Sequence, residues 1–354
     1  MVQQFPTSGE TIAAESPANP LLVEVTRGPW VESRHRAAYA LVDVAGRVVR
    51  SAGDIERPVY PRSAIKALQA LAMIESGAAE HYGLSQAEIA LACASHKGEA
   101  RHVAAVEAWL VRLGLTPEAL LCGPQPPARQ ESLADLYAAG GRPSALHNNC
   151  SGKHAGFLTQ SLRLAAPPAG YLKQQHPVQQ RVLGVMESMS GLDLGRAPRG
   201  IDGCGIPTLA LPLGNLALAM ARLGNPDDQP ESRQAACQAV RKAVAAEPFM
   251  LGGTDDFVSA AMGVLGPRAL VKNGAEGVFC ASFPDLGLGL ALKVDDGAGR
   301  AAEVLMGRFL LALGLLSDEE AAGLSTWLDP RLINRAGREV GVMRALGPER
   351  IVRD

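Results

Sequence analysis

The sequence predicts a mixed α/β fold, in which strands from both ends of the chain form one mostly antiparallel sheet and a helical insertion covers one of its faces. Three observations support this prediction. β-rich segments lie near the start of the chain, segments with helical periodicity fill its middle, and three strand-like segments followed by a helix lie near its end. No repeat at a fixed period is present, which excludes a repeat architecture.

The first β-rich segments begin at Leu21. LLVEVTRG and AAYALVDV favour strands, and the second leads through AGR to VVRSAG, which predicts a hairpin. After the turn RPVYPRS, the segment SAIKALQALAMIES predicts a helix. Ser63 is expected at the N-cap or in the first turn of this helix, with Leu68, Leu71 and Ile74 on one face.

The middle of the chain is expected to be mainly helical. Helical periodicity occurs between Gly- and Pro-rich breaks near residues 100–113, 131–139, 153–164, 174–190, 209–222 and 231–246. Strands are then expected at ALVKNG, GVFCASF and LGLALKV, and a last helix at roughly residues 299–315. This layout predicts a disordered leader at 1–19 and a single domain at 20–354, with a helical subdomain at about 64–250.

Composition and charge narrow the classes of function. The chain has 354 residues, enough to bury a substantial core, and its net charge of −2 gives no reason to expect nucleic acid or an acidic membrane as a partner. The N-terminal segment has no basic region followed by an apolar one, so the cytoplasm is the expected compartment. The six cysteines are sparse for this length and are expected to be thiols or metal ligands rather than disulfides.

Ser63 and Lys66 form an S-x-x-K pattern at the start of the first predicted helix. This spacing places both side chains on one helical face. A serine hydroxyl needs a base to become a nucleophile, and a desolvated lysine can have its pKa lowered enough to act as one. Alone, the pattern is more typical of a capping serine beside a surface lysine.

Two further segments match the Ser-Lys acylase pattern, which adds a loop serine and a strand Lys-x-Gly to the S-x-x-K helix. Ser95 lies in the loop segment CASHKGE, and Lys272 begins Lys-Asn-Gly at the end of the predicted strand ALVKNG. The order of the three signals and the strand–helices–strand layout agree with that pattern. A second Ser-Lys pair can pass a proton to the leaving amine while the first forms the acyl bond.

A second group of residues contains thiols. Cys150 and Lys153 are three residues apart at a helix start, where the helix dipole and the lysine favour a thiolate, and Cys204 lies in Asp-Gly-Cys-Gly. This spacing is not one of the usual zinc spacings, so metal ligands, buried structural cysteines and a single reactive cysteine all stay open from spacing alone. Three histidines are further possible ligands, although ordinary packed or surface histidines are commoner: His96, His102 and His147.

Several of these runs, in this order, resemble the signature segments of the class 3, or rhizobial-type, L-asparaginases. The resemblance covers nearly the whole chain from about residue 20, and it is carried by RGPWVESRH, RSAIKALQAL, CASHKGE, HNNCSGKHAGFL, DGCGIPT, KNGAEGVF and LALKVDDGAGRA. It implies a fold related to serine β-lactamases, penicillin-binding transpeptidases and glutaminases. It also implies a homodimer.

The resemblance assigns a role to each motif residue. The first Ser-Lys pair corresponds to Ser63 and Lys66, and the second to Ser95 and Lys272. A zinc ion would be held by Cys150, Lys153 and Cys204. The residues implied to bind substrate are Arg62, through a bidentate contact with its carboxylate, Asp202, beside the metal ligands, and His154.

The chain departs from the pattern of this family at two places. Ser95-His96-Lys97-Gly98-Glu99 stands where the family commonly has SHSGE. Gly253-Thr254-Asp255-Asp256-Phe257 stands where a Gly-Thr-Gly-Arg-Phe run is common, so acids replace a cation. If the second loop borders the pocket, substrate preference or affinity is expected to differ from that of the family.

The expected function is hydrolysis of the side-chain amide of L-asparagine by a Ser-Lys acyl-enzyme mechanism next to a zinc site. L-Glutamine stays open as a substrate, because one methylene alters binding by only roughly 1–3 kcal/mol. Two alternatives also stay open: a penicillin-recognising or other serine acylase on the same scaffold, and a non-catalytic protein that senses zinc or oxidants through its cysteines.

Overall fold

The computed structural model describes residues 18–351, so residues 1–17 of the expected leader lie outside the described range. The strands are β1 (Leu21–Arg27), β2 (Trp30–Asp43), β3 (Val48–Ala52), β4 (Arg199–Ile201), β5 (Pro207–Leu209), β6 (Leu270–Gly274), β7 (Val278–Phe283), β8 (Leu288–Val294), β9 (Arg331–Ile333) and β10 (Glu339–Ala345).

The longer helices are α1 (Lys66–Glu75), α3 (Gln86–Ala92), α4 (Ala100–Arg112), α5 (Gln130–Ala138), α6 (Ser151–Arg163), α7 (Pro177–Ser190), α8 (Leu213–Gly224), α9 (Glu231–Ala246), α11 (Phe257–Leu265) and α12 (Gly299–Ala312). The shorter ones are α2 (Ala78–His81), α10 (Pro248–Leu251), α13 (Asp318–Gly323) and α14 (Ser325–Leu328). A 3-10 turn over Arg62–Ile65 directly precedes α1.

Eight of the strands form one antiparallel sheet, in the order β6-β7-β8-β2-β1-β10-β9 with β3 paired to β2. Strand β1 lies between β2 and β10, so the two ends of the described chain meet in neighbouring strands. The predicted class is thereby confirmed: an α/β fold with a mostly antiparallel sheet from both chain ends and a helical insertion, which runs here from α1 to α11.

Helices cover both faces of this sheet. Strand β8 approaches α8 so closely that a Cβ at Gly289 would lie 2.3 Å from the Ala221 nitrogen. On the opposite face Tyr39 meets Phe309 of α12 edge to face, with ring centroids 4.7 Å apart. The helical insertion therefore covers one face, as predicted, and the helix that follows β8 covers the other.

Helix α1 is the central helix of the insertion. Every residue from Lys66 to Met73 is buried, and the helix contacts α6, α7 and α9. A helix that is apolar all round is expected to be surrounded by protein, and here it buries a lysine as well. This placement brings the start of α1 next to the start of α6.

The structure confirms one of the two positions predicted for Ser63 and corrects the predicted end of the chain. The helix begins as the 3-10 turn, whose N-cap is Pro61, so Ser63 is a first-turn residue and not the cap. The chain does not close with three strands and a helix, because β9 and β10 follow α12 and complete the sheet beside β1. Within residues 18–351, no helix is both long and apolar enough to cross a membrane.

Candidate active site

The turn that carries Ser63 packs against strand β6 at the edge of the large sheet. A Cβ at Gly274 would lie 2.5 Å from the carbonyl oxygen of Pro61, so only glycine lets the strand approach the turn this closely. Arg62, directly before Ser63, has a φ of +51°, a left-handed conformation that non-glycine residues rarely adopt. Such backbone strain is concentrated at functional sites.

Lys66, the first residue of α1, is completely buried. Its ammonium donates to the carbonyl oxygens of Ala94 at 2.5 Å and Asn149 at 3.2 Å, and it lies 3.1 Å from the hydroxyl of Ser95. Within residues 18–351 the Ser63 hydroxyl forms no hydrogen bond. The expected pair of Ser63 and Lys66 is therefore close in sequence but not hydrogen-bonded, because the buried ammonium takes the nearest acceptors it can reach.

Ser95 and Lys272, the second expected pair, are in contact. The Lys272 Nζ lies 2.9 Å from the Ser95 Oγ and 2.5 Å from the Oδ1 of Asn273. Burial, together with the positive charge of Lys66, lowers the pKa of Lys272 to about 7. The Ser95 hydroxyl thus lies between two buried lysine nitrogens, and one of them can accept a proton near neutral pH.

The three predicted metal ligands also come together. Cys150 is the N-cap residue of α6, and Lys153 in the first turn of that helix donates to the Cys204 sulfur at 2.9 Å. Cys204 lies in the turn between β4 and β5, where its sulfur is 3.2 Å from the Asp202 carboxylate. The donor atoms of Cys150, Asp202 and Cys204 all lie within 4.8 Å of one another. We call the set of Cys150, Lys153, Asp202 and Cys204 the thiol cluster.

The charges within the thiol cluster stabilise a thiolate. A hydrogen bond from Cys204 and the charge of Lys153 hold the pKa of Cys150 well below its usual value, despite burial. The same hydrogen bond, together with burial, raises the pKa of Cys204. Burial lowers the pKa of Lys153, but the neighbouring sulfurs of Cys150 and Cys204 raise it by more. The net result is a raised pKa for this lysine.

Two of the predicted substrate-binding residues contact each other. The Arg62 Nε donates to the Asp202 Oδ1 at 2.5 Å, and this ion pair joins the Ser63 turn to the thiol cluster. Burial raises the pKa of Asp202, but the hydrogen bond from Arg62 and the charge of Lys153 outweigh it and hold that pKa at about 2. Arg62 therefore presents its guanidinium to the site while its Nε is already bound.

His154, the third predicted substrate-binding residue, is completely buried. Its Nδ1 lies 2.6 Å from the hydroxyl of Tyr171, and burial lowers the pKa of the imidazole well below its usual value. The Nε2 has no hydrogen-bond partner within residues 18–351. Contact of His154 with substrate stays a prediction.

Sequence reasoning missed the contacts that hold Ser95. The Ser95 N–H donates to the Leu251 carbonyl at 2.9 Å, and the Glu99 carboxylate accepts from the N–H of Thr254 at 2.7 Å. The two segments that depart from the family pattern therefore lie side by side. The signal that could have paired them is chemical: a lysine appears in one segment where acids appear in the other.

Solved structures of the protein Mglu match the chain. One is 16% identical with a TM-score of 0.43, and the match covers 81% of this chain and 66% of that one. Another is 14% identical with a TM-score of 0.40, covering 83% of this chain and 65% of that one, so the chain spans just under two thirds of the length of Mglu.

A β-lactamase from Mycobacterium bovis is 14% identical with a TM-score of 0.36, and the match covers 74% of this chain and 88% of that one. No curated protein sequence matches the chain. The model of the family described as L-asparaginase II matches residues 23–345, nearly the whole chain. The resemblance seen in the motifs is thereby confirmed, and the chain belongs to the L-asparaginase II family.

Proposed function

We propose that this protein is an amidohydrolase that converts L-asparagine to L-aspartate and ammonia through an acyl-enzyme on Ser63. The observation that carries the proposal is the position of the Ser95 hydroxyl, 3.1 Å from the Lys66 nitrogen and 2.9 Å from the Lys272 nitrogen, next to the turn that holds Ser63. Membership of the L-asparaginase II family supports an amide of an amino acid as the substrate.

The proposed reaction has two halves. In the first, Lys66 passes a proton through Ser95 to neutral Lys272, so that it can accept the Ser63 proton as the Ser63 oxygen attacks the amide carbon. That proton is then delivered to the nitrogen, the carbon–nitrogen bond breaks and ammonia leaves. In the second, water attacks the ester, releasing aspartate and returning the proton to Ser63. Within residues 18–351 no hydrogen bond engages the Ser63 hydroxyl, so it can turn toward a neutral Lys66, which is proposed to act as its base.

Ser95 and Lys272 are proposed to move the proton that the leaving nitrogen needs. A hydroxyl can donate and accept at once, so Ser95 can connect the two lysines between which it lies. A pKa of about 7 leaves Lys272 able both to take a proton and to give it up near neutral pH. Backbone N–H groups near Ser63 are proposed to stabilise the oxyanion.

Arg62, Asp202 and His154 are proposed to bind the α-amino acid part of the substrate. Arg62 retains guanidinium N–H groups beyond the Nε that Asp202 accepts, and these can bind an α-carboxylate. Asp202 carries a negative charge that can face an α-ammonium group. The two charges lie beside Ser63, where they would orient the side-chain amide of the substrate.

We also propose that Cys150, Lys153 and Cys204 hold a zinc ion. The donor set fits this metal, because two thiols, an amine and a nearby carboxylate are ligands of zinc's preferred softness and lie close enough to share one ion. When bound, zinc would supply a fixed positive charge that organises the substrate pocket. Independently of the metal, Asp202 is held by its ion pair with Arg62 and by its contact with Cys204.

Ammonia release from L-asparagine and L-glutamine, with zinc analysis on the same sample, tests the proposal. Ser63→Ala should abolish turnover while leaving the fold and the zinc content intact, and Ser51→Ala, at an exposed position on β3, is the matched control. Retained activity in Ser63→Ala would exclude Ser63 as nucleophile.

The same experiment identifies the serine that carries the acyl group. Ser95→Ala should slow release of ammonia and leave the aspartyl adduct on Ser63, which peptide mass spectrometry of quenched enzyme detects. An adduct on Ser95 of the native enzyme would transfer the nucleophilic role to that residue. Hydrolysis of a chromogenic cephalosporin, with no ammonia from either amino acid, would favour the penicillin-recognising acylase.

Separate measurements test the non-catalytic sensor, which is the remaining alternative, and the oligomeric state. Zinc or oxidant binding at Cys150 and Cys204, with no hydrolysis of any small amide, would favour a non-catalytic sensor. We propose a homodimer on the family resemblance, and light scattering of the purified protein should give twice the chain mass of 37.0 kDa.

A further inference from the structure

The position of Ser95 depends on the contact between two loops. One is the segment Ser95–Glu99, between α3 and α4. The other, which we call the clamp loop, is the segment 251–256, which comprises the last residue of α10 and the residues that connect it to α11. The Ser95 N–H donates to the Leu251 carbonyl at 2.9 Å, and the Lys97 N–H donates to the Gly252 carbonyl at 2.8 Å. The backbone of the proton-relay serine is therefore set by the clamp loop rather than by a helix of its own.

Two charged side chains link the loops: the Glu99 carboxylate accepts from the N–H and the hydroxyl of Thr254, and Lys97 donates in the opposite direction. Its ammonium donates to the carbonyl oxygens of Thr254 at 2.8 Å and Asp255 at 2.6 Å. Asp255 has a φ of +52°, a costly conformation for a residue other than glycine. A charged donor shared by two successive carbonyls is suited to hold such a turn, since charge-assisted hydrogen bonds are roughly twice as strong as neutral ones.

Two acids lie near these loops and the lysine pair, and Lys97 acts on one of them, Glu303. Asp256 begins α11, where its carboxylate accepts from the Ser259 N–H at 3.0 Å, and its negative charge acts on Lys272. Burial and the charge of Asp256 raise the pKa of Glu303 to about 7, and Lys97 opposes this rise. Loss of the Lys97 charge would leave the Thr254 and Asp255 carbonyls without this donor and Glu303 without an opposing charge.

We propose that Lys97 is a positioning residue for the amide hydrolysis proposed above, on which this inference rests. By fastening the clamp loop, its ammonium fixes the Ser95 hydroxyl within hydrogen-bonding distance of both Lys66 and Lys272. Misplacement of a reacting group by about 1 Å can cost roughly 100-fold in rate. Since Lys97 donates to backbone carbonyls, its effect falls on proton transfer and not on substrate binding.

Steady-state kinetics of Lys97→Met, Lys97→Arg and the native enzyme on L-asparagine test this proposal. We expect kcat to fall by about 10- to 100-fold in Lys97→Met with KM unchanged within about twofold. Lys97→Arg, which can still donate to both carbonyls, should recover most of the lost kcat. Lys173→Met, at an exposed lysine, is the control and should match the native enzyme.

A native kcat in Lys97→Met, or a loss that Lys97→Arg does not recover, would overturn the proposal. A loss confined to KM would overturn it as well, because that result assigns Lys97 to substrate binding. If Lys97→Met does not fold by circular dichroism, Lys97→Gln replaces it under the same criteria. Absence of ammonia release from both the native enzyme and Lys173→Met would refute the proposed function instead.

Discussion

Two buried lysines of the site, Lys153 and Lys272, have pKa values displaced in opposite directions. Their exposed fractions are similar, 3% and 1%, so burial alone would lower the pKa of both. At Lys153, burial is outweighed by Cys150 and Cys204, which raise the pKa. At Lys272, burial is reinforced by the charge of Lys66, and the pKa falls to about 7.

The comparison shows that the sign of the neighbouring charge, and not depth, decides what a buried lysine can do. Without a metal, the lysine beside sulfur keeps its proton and compensates negative charge, and it would have to release that proton to bind the proposed zinc ion. The lysine beside another lysine gives its proton up near neutral pH and can serve as a base. One small region of the protein thus contains a charge-holding cluster and a proton-exchanging cluster, connected through the Arg62–Asp202 ion pair.

Removing the proton-exchanging lysine should have the largest effect. Lys272→Met keeps the length and the burial of the side chain but cannot accept a proton, so kcat for ammonia release should fall by roughly 100- to 10,000-fold. Stopped assays of ammonia release from L-asparagine measure this fall. If Lys272→Met kept native kcat, the lowered pKa of this lysine would have no role in turnover.

Removing the charge-holding lysine, Lys153, should lower the affinity for zinc rather than the rate of proton transfer. Lys153→Met takes away one donor of the proposed zinc site, and in the zinc-free protein it takes away the cation that supports the Cys150 thiolate. Zinc affinity should therefore fall by at least about 10-fold. Competition with a chromophoric chelator measures that affinity. Cys237→Ser, at a buried thiol in α9, is the control, and equal affinity in all three proteins would argue against the site.

The pH dependence of kcat and of stability should follow the protonation of Lys272. Because Lys272 must be neutral to accept a proton, kcat should rise about tenfold per pH unit below pH 7 and level off above it. Between pH 7 and 10.5 the unfolded state retains the Lys272 proton that the native state has lost, so stability relative to Lys272→Met should increase with pH. Urea unfolding of both proteins measures this, and a pH-independent difference would contradict the lowered pKa.

The smallest effect is expected from a substitution at Gly274 of β6, the strand that packs against the turn carrying Ser63. Gly274→Ala would place a Cβ 2.5 Å from the Pro61 carbonyl, which should displace the turn, lower kcat/KM by about tenfold and cost roughly 1–3 kcal/mol of stability. Gly263→Ala, in α11 with open space at its Cβ position, should instead stabilise by about 0.5–1 kcal/mol. Thermal unfolding and kinetics of both variants are the measurements, and equal behaviour would contradict the close approach.

The order of strands and helices along most of the chain could be predicted from the sequence, because hydrophobic periodicity depends only on neighbouring residues. It did not predict β10, whose partly buried residues owe their burial to pairing with β1 at the other end of the described chain. Helix α3 is only 7 residues long and was also missed, although Ser85 and Glu88 form the capping box that marks its start. Boundaries and distant pairings depend on tertiary contacts, which a local pattern does not contain.

For the site too, the sequence predicted which residues come together but not all the contacts that they form. The motifs brought the right residues to one region: Ser95 and Lys272 are in contact, and Cys150, Lys153 and Cys204 lie together. The spacing of Ser63 and Lys66 predicted one helical face but not the partner of Lys66, which is Ser95 across the site. That choice is made by the carbonyls of Ala94 and Asn149, which converge on the buried ammonium only after folding.

The position of β1 between β2 and β10 has a consequence for biosynthesis. Glu24 of β1 and Arg344 of β10 are paired in register and form an ion pair, although 320 residues separate them. While the ribosome still holds β10, the outer edge of β1 offers unpaired N–H and C=O groups to any other strand. A nascent chain stalled before residue 339 should therefore be a target for chaperones, and release of the last strand should end that vulnerability.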